Sequence, residues 1–297
     1  MRVLSLFDGM SCGKISLERA GIKVDKYYAS EIDKNAIKVS KANYPEIDQV
    51  GDIVNLANIL SIFPETLGEI DLLIGGSPCQ GFSFAGKQLN FDDPRSKLFF
   101  EFVKIKNILK PKYFLLENVK MKKESQDVIT NIFGVEPIEI NSNLVSAQNR
   151  GRLYWTNIPG VKEPENKYIS FQDIIEEDGK HLKKYKLNRT KSRVKMWSNG
   201  EGRNSHQTCS NVTNAEKVNC LTTKQDRSSN TGLIEFEDFC RYLTQNELEM
   251  CQTVPKGYTD SVSYGLACKM LGNGWTVDVI AHIFSYMKEV SDGKMGN

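Results

Sequence analysis

No run of roughly 18 or more apolar residues occurs in these 297 residues, so no membrane-spanning helix is expected. The opening stretch, MRVLSLFDGMSCG, holds an apolar run too short for a secretion signal and leads straight into structured sequence. An excess of one charge is lacking as well: 39 Lys and Arg face 37 Asp and Glu, a net charge of +2. The molecule is no polycation, and any nucleic-acid role must come from a local basic face. Metal and disulfide chemistry find little to build on. The three histidines are scattered, and the seven cysteines (Cys12, Cys79, Cys209, Cys220, Cys240, Cys251, Cys268) include no CxxC pair. Neither a zinc site nor a disulfide framework is expected, and a reducing, cytoplasmic setting fits best. There is no internal repeat and no complete GxGxxG.

What is present is a globular composition, 40% hydrophobic and 26% charged. From residue 1 to about 160, short apolar runs alternate with helical patterns. The runs RVLSLF, KYYASEI, DQVGDI, IDLLIGG and YFLLEN read as strands, followed by IEINSNLV and RLYWTN. Between them GKISLERAG, KNAIKVSKANY, NLANILSIF and LFFEFVKIKNIL read as helices. This alternation implies βαβ units and a mostly parallel sheet, an α/β fold. Residues 160–232 change texture to a polar stretch rich in Lys, Arg, Asn and Ser, read as a small second domain. Residues 233–297 return to helical patterns (TQNELEMCQTV, TVDVIAHIFSYMKEV) and are expected to pack back on domain 1–159.

Chemistry-bearing residues gather at strand ends. The first strand opens into FDGMSCG, a glycine-containing turn that lets a ligand approach the backbone. The second ends in Glu31, an acid placed to take a ribose diol, and the third in Asp52. Together they suggest an adenosine-containing ligand; ordinary polar loop ends are the competing reading. The fourth strand delivers Cys79 between Pro78 and a polar loop, and a thiol there can act as a nucleophile. Packing as a buried cysteine is the alternative. The fifth strand ends in Glu117, which could equally cap a helix. SAQNRGRLYW sets Gln148, Arg150 and Arg152 at alternate positions, on one face if the segment is a strand.

In order, SLFDGMSCG, SEID, GDI, GGSPCQGFS, ENV, QNRGR, RYLTQNELEMCQTVP and KMLGNGWTVDVI resemble the motifs of the DNA cytosine-5 methyltransferases. The resemblance covers nearly the whole chain outside 160–232. It implies a Rossmann-like S-adenosylmethionine-dependent methyltransferase fold with a small target-recognition domain. It implies Cys79 as the nucleophile adding to C6 of a cytosine flipped out of duplex DNA, which makes C5 able to attack the sulfonium methyl. Glu117 would meet N3 and Arg152 would meet O2, with Gln148 and Arg150 supporting them. S-adenosyl-L-methionine, leaving as S-adenosyl-L-homocysteine, would lie against Phe7, Asp8, Gly9, Met10, Ser11, Cys12, Glu31, Ile32, Asp52 and Ile53. Pro78, Leu98, Asn273, Gly274 and Trp275 would complete that site; no metal is implied. Two motifs depart from many bacterial members: the first reads Phe-Asp-Gly-Met-Ser-Cys-Gly where alanine after Phe7 and another glycine are usual, and the last reads Gly272-Asn273-Gly274-Trp275 in place of Gly-Asn-Ser-Val. Both departures resemble the catalytic domains of the vertebrate de novo enzymes.

The basic stretch then reads as the recognition region. Lys191, Arg193, Arg203, Lys224 and Arg227 would neutralise phosphates while Asn, Gln and Ser read base edges. Ser83, Lys87 and Arg95, in and after the loop that follows Cys79, would add DNA contacts. A solvated loop is the competing reading for the stretch alone. A cognate restriction endonuclease is the protein partner this class implies, with the enzyme itself a monomer or weak homo-oligomer. Three rivals remain: an RNA cytosine-5 methyltransferase, whose tRNA-acting branch carries a Cys-Phe-Thr tripeptide not found here; a non-catalytic DNA-binding relative; and a nucleotide-binding oxidoreductase, which leaves Pro78-Cys79 unexplained.

Overall fold

Seven strands form one sheet in the order β3-β2-β1-β4-β5-β7-β6. They are β1 (Arg2–Leu6), β2 (Lys26–Ser30), β3 (Asp48–Gln49), β4 (Leu72–Gly76), β5 (Tyr113–Val119), β6 (Ile138–Asn141) and β7 (Gly151–Thr156). The computed structural model describes residues 1–77, 94–177, 180–188, 190–191, 211–223, 231–236 and 239–292; of 94–96, 180–181 and 288–292 it describes the backbone alone. β1 runs parallel to both β2 and β4, and β5 parallel to β4, while β7 is antiparallel to β5. The strand order turns back on itself at β1 and β4, the switch point where open α/β sheets bind ligands beyond their carboxyl ends.

The helices are α1 (Cys12–Arg19), α2 (Lys34–Asn43), α3 (Ile53–Ile62), α4 (Pro94–Leu109), α5 (Lys123–Phe133), α6 (Gln245–Cys251), α7 (Tyr264–Asn273) and α8 (Val277–Asp292). Side-chain caps start α2 and α3, as one does α6: Asp33 accepts from the Asn35 N–H, and Asp52 from those of Val54 and Asn55. α5 and α7 lie where no helical pattern is expected. α5 buries only Ile129 and Phe133, one apolar pair four residues apart, so its stripe is too short to show in sequence. The expected strand IEINSNLV ends at Asn141, whose side chain accepts from the Asn143 N–H and starts a 3₁₀ turn over Ser142–Leu144.

The chain divides into two units: Met1–Ile140 with Gly151–Pro164 and Val279–Asn297, and Asn141–Arg150 with Glu165–Asp278. In the first, Leu4, Leu6, Leu73 and Leu116 from the sheet pack with Leu56 and Leu60 of α3 and Phe99 and Phe102 of α4. The Phe133 ring sits 5.1 to 6.0 Å from the rings of Phe99, Phe102 and Phe114. Burying each such side chain contributes about 1.5–3 kcal/mol. Gly75 is required by this packing, because a Cβ there would lie 2.8 Å from the Leu6 carbonyl oxygen and 3.0 Å from the Phe102 ring.

The second unit carries a three-stranded antiparallel sheet, β8 (Lys186–Leu187), β10 (Cys240–Tyr242) and β9 (Leu233–Glu235), with β10 in the middle. Its interior is partly ionic. Arg241 and Glu247 are both fully buried and paired through two bonds, 2.8 Å from Nη1 to Oε2 and 2.7 Å from Nη2 to Oε1. Glu247 also closes a capping box with Thr244 at the start of α6. Lys217 donates to the carbonyls of Asn143, Ser146 and Ile169 at 2.7, 2.8 and 2.5 Å, and desolvation pushes its ammonium below the usual lysine range.

Candidate active site

The carboxyl ends of β1 and β2 form a shaped turn. Phe7, Gly9 and Ser11 all take left-handed backbone angles, φ 57°, 59° and 65°. Gly9 tolerates this angle as a glycine, and a Cβ there would meet nothing within 4 Å, so its backbone borders open space. Glu31 fixes the turn: its Oε2 accepts from the Gly9 N–H at 2.8 Å, and its Oε1 from those of Ile32 and Asp33 at 2.7 and 2.8 Å. A carboxylate has about four acceptor positions. Among the described residues Glu31 uses three, leaving one for a ligand hydroxyl. Ile32 beside it is 70% exposed, an apolar platform at a strand end.

Asp52 spends Oδ1 on the first turn of α3 and keeps Oδ2 for another donor. The other residues of the β1 turn expected against the cofactor, with Ile53 and Leu98, turn their side chains inward. Met10, Ser11, Cys12 and Ile53 are buried, and the half-buried Phe7 and Leu98 pack on the core. Such residues can present only backbone or an edge to a ligand. Asp8 is buried too, accepting from Ser11 Oγ at 2.5 Å and Tyr27 Oη at 2.7 Å, and burial lifts its carboxyl to about 6.

Around β4 and β5 the polar residues converge. Gly76 pairs with Glu117 in register, and Glu117 with Tyr154 of β7. Arg152 lies opposite Val119, diagonal to Glu117, within reach of a long side chain. Its Nε stands 3.0 Å from Glu117 Oε1, and the two side chains are 14% and 12% exposed. Ser77, next along the chain from β4, is buried and receives a 3.2 Å bond from Asn118 Nδ2 to its Oγ. Asn118 shows in sequence only as a polar residue inside the apolar run YFLLENV. Pro78 and Cys79 follow Ser77 immediately but lie outside the described residues.

Gln148 and Arg150 do not share a strand face with Arg152, because β7 begins only at Gly151. Each serves the backbone of the second unit. Gln148 is fully buried, donates to the Cys251 carbonyl at 2.6 Å and accepts from the Leu221 N–H at 3.2 Å. Arg150 donates to the carbonyls of Leu221, Gly272 and Gly274 at 3.2, 3.2 and 2.8 Å. The demand of these carbonyls for a donor, from residues 70 or more positions away, ends the alternation the sequence suggests. Gly274 is thereby held at the end of α7, with Asn273 exposed and Trp275 half-buried.

Of the residues expected to meet DNA, Lys191 is exposed, beside exposed Lys183, Lys184 and Lys186. Ser83, Lys87, Arg193, Arg203, Lys224 and Arg227 lie outside the described residues, as does the side chain of Arg95. Lys217 differs from the other lysines of this region, since its ammonium is spent on internal carbonyls.

The strand order and the acid-lined edge define a class first. The Dnmt2 methyltransferase of S. pombe superposes with a TM-score of 0.74 over 98% of this chain and 99% of that one, at 19% identity. A Dnmt2 mutant of Spodoptera frugiperda gives 0.72 over 97% and 99%, at 20% identity. The fold is thus the Rossmann-like methyltransferase fold. The family model for C-5 cytosine-specific DNA methylase matches residues 1–158. The type II methyltransferase M1.ScrFI of Lactococcus lactis subsp. cremoris is 31% identical over 97% of this chain and 78% of its own length. M.HpaII of Haemophilus parainfluenzae is 29% identical over 93% and 86%. The orphan methyltransferase M.Rho11sI of Bacillus phage rho11s is 34% identical over 60% of this chain and 34% of its own. The chain belongs to the C-5 cytosine-specific DNA methylase family and is a DNA cytosine-5-methyltransferase by class.

Proposed function

We propose that this protein methylates C5 of cytosine within a specific sequence of duplex DNA, by covalent catalysis on a flipped base. The observation that carries the reading is the Arg152–Glu117 pair, 3.0 Å apart beside the strand that leads to Cys79. In a poorly hydrated site Arg152 fixes the Glu117 side chain, so its carboxyl can meet N3 of the base as charge develops there. The Cys79 thiolate adds to C6, and Asn118 anchors the chain two residues before it through Ser77.

Enzymes of this family generally use S-adenosylmethionine, which supplies an electrophilic methyl group when bound. The residues at the β1–β3 edge fit it. Glu31 has one acceptor position for a ribose hydroxyl, exposed Ile32 offers a face for a purine, and the Gly9 backbone borders open space. The family resemblance adds Asn273, Gly274 and Trp275 to the expected contacts. Exposed Lys183, Lys184, Lys186 and Lys191 fit DNA phosphates. The likeness to type II and phage-borne orphan methyltransferases supports the reading of an enzyme that works in the cytoplasm of a bacterium or a phage-infected cell, with or without a cognate endonuclease as partner.

The test is methyl transfer from labelled S-adenosylmethionine to duplex DNA, with bisulfite sequencing of DNA from expressing cells to find the base and its context. Cys79→Ser is expected to abolish transfer. Undiminished activity in that variant, or methylation of RNA alone, would sink the reading.

A further inference from the structure

Asp8 is a buried carboxylate with no cation among the groups described around it. Ser11 from the entry to α1 donates to it at 2.5 Å and Tyr27 from β2 at 2.7 Å, and Ser5 of β1 also hydrogen-bonds it. Ser11 Oγ lies in turn 2.7 Å from Ser40 Oγ of α2. The titratable groups facing Asp8 are the Tyr27 phenol and the Glu31 carboxylate, which repels it. The same turn is thus held from two sides: Glu31 grips the Gly9 N–H, and Asp8 grips Ser11, the left-handed residue that starts α1.

This arrangement costs stability. Burial raises the carboxyl from 3.8 to about 6, so the folded chain binds the proton more tightly than the unfolded chain. The stabilising contribution of protonated Asp8 is complete below 3.8 and is lost as pH rises through about 6. At neutral pH the fold carries a buried charge that an apolar residue there would not impose.

We propose that Asp8 is a positioning residue for the cofactor: its ionised carboxylate holds Ser11 and Tyr27 so that the turn Phe7–Ser11 keeps its ligand-accepting shape, and its protonation weakens cofactor binding. The inference rests on the reading that this turn takes S-adenosylmethionine. It assigns Asp8 no contact with the methyl group or the base.

The test is equilibrium binding of S-adenosylhomocysteine to the full chain by calorimetry, from neutral pH downward, which needs no turnover. Wild-type affinity is expected to fall with a midpoint near 6, by up to about tenfold per pH unit below it. Asp8→Asn keeps the shape but can satisfy the Ser11 and Tyr27 hydroxyls together only by turning one bond around. It is expected to bind several-fold more weakly at neutral pH and to lose the acid limb. Tyr27→Phe retains the carboxylate but removes a bond that favours its ionised form, so the midpoint moves upward. An Asp8→Asn protein that keeps the wild-type affinity, or the wild-type acid limb, overturns the role of Asp8 alone. A wild-type protein that binds the ligand at no pH overturns the cofactor reading and this inference with it.

Discussion

The core of the first unit gathers rings, while the second unit encloses an ion pair at its centre. Around Phe133 three aromatic side chains pack edge-on or stacked, and the sheet adds Leu4, Leu6, Leu73, Leu116, Leu153 and Trp155 to the same core. Around β10 and α6 the most enclosed side chains include Arg241, Glu247 and Glu249, the last lifted above the usual carboxylate range by burial although Thr259 and Gly257 donate to it. The difference follows from backbone. A seven-stranded sheet satisfies its own peptide groups, so apolar side chains suffice to fill the space around it. Among its described residues the second unit has three short strands, and carbonyls outside them need donors from side chains. Arg150, Gln148 and Lys217 supply them, each bridging segments far apart in sequence.

The comparison is best broken at its largest charge pair. Glu247→Ala leaves Arg241 charged and buried, a loss expected to cost about 3–5 kcal/mol in urea unfolding. Arg241→Met with Glu247→Leu removes both charges. Because Glu247 also accepts from the Thr244 and Glu176 N–H groups, the double variant should remain destabilised, by less than Glu247→Ala. A double variant as stable as wild type would show that the second unit tolerates an apolar interior like the first. The next effect is at Lys217. Lys217→Met keeps the length of the stem but strands three carbonyls, with an expected loss of about 1–3 kcal/mol in the same measurement. No change there would mean that water serves those carbonyls equally well.

This contrast also decides what could be read from the chain alone. The strands of the first unit announce themselves as apolar runs, although the acids do not all close them: Glu31 follows β2, Asp52 lies beyond the two-residue β3 as a helix cap, and Glu117 sits inside β5, which runs on to Val119. The convergence of Glu117 and Arg152 was legible through the order of motifs. The positions of Gln148 and Arg150 were not, since nothing local tells that a guanidinium will serve carbonyls at Leu221, Gly272 and Gly274. Lys217 looks in sequence like any phosphate-binding lysine of a basic stretch, and only its three carbonyl partners show otherwise. Asp8 resembles a ligand contact by position and turns out to face inward.

The smallest expected effect separates fold from site within the first unit, at Asp52. One of its oxygens accepts from the Val54 and Asn55 N–H groups and starts α3; the other is the one available to a ligand. Asp52→Ala loses both functions, and the lost cap alone is worth about 1 kcal/mol of stability. Asp52→Ser retains an acceptor for the helix but no carboxylate. If the second oxygen meets the cofactor, Asp52→Ser should unfold at nearly the wild-type temperature while binding S-adenosylhomocysteine more weakly. If Asp52→Ser binds as tightly as wild type, Asp52 belongs to the helix alone, and recognition at this edge falls to Glu31, Ile32 and the turn that Asp8 holds.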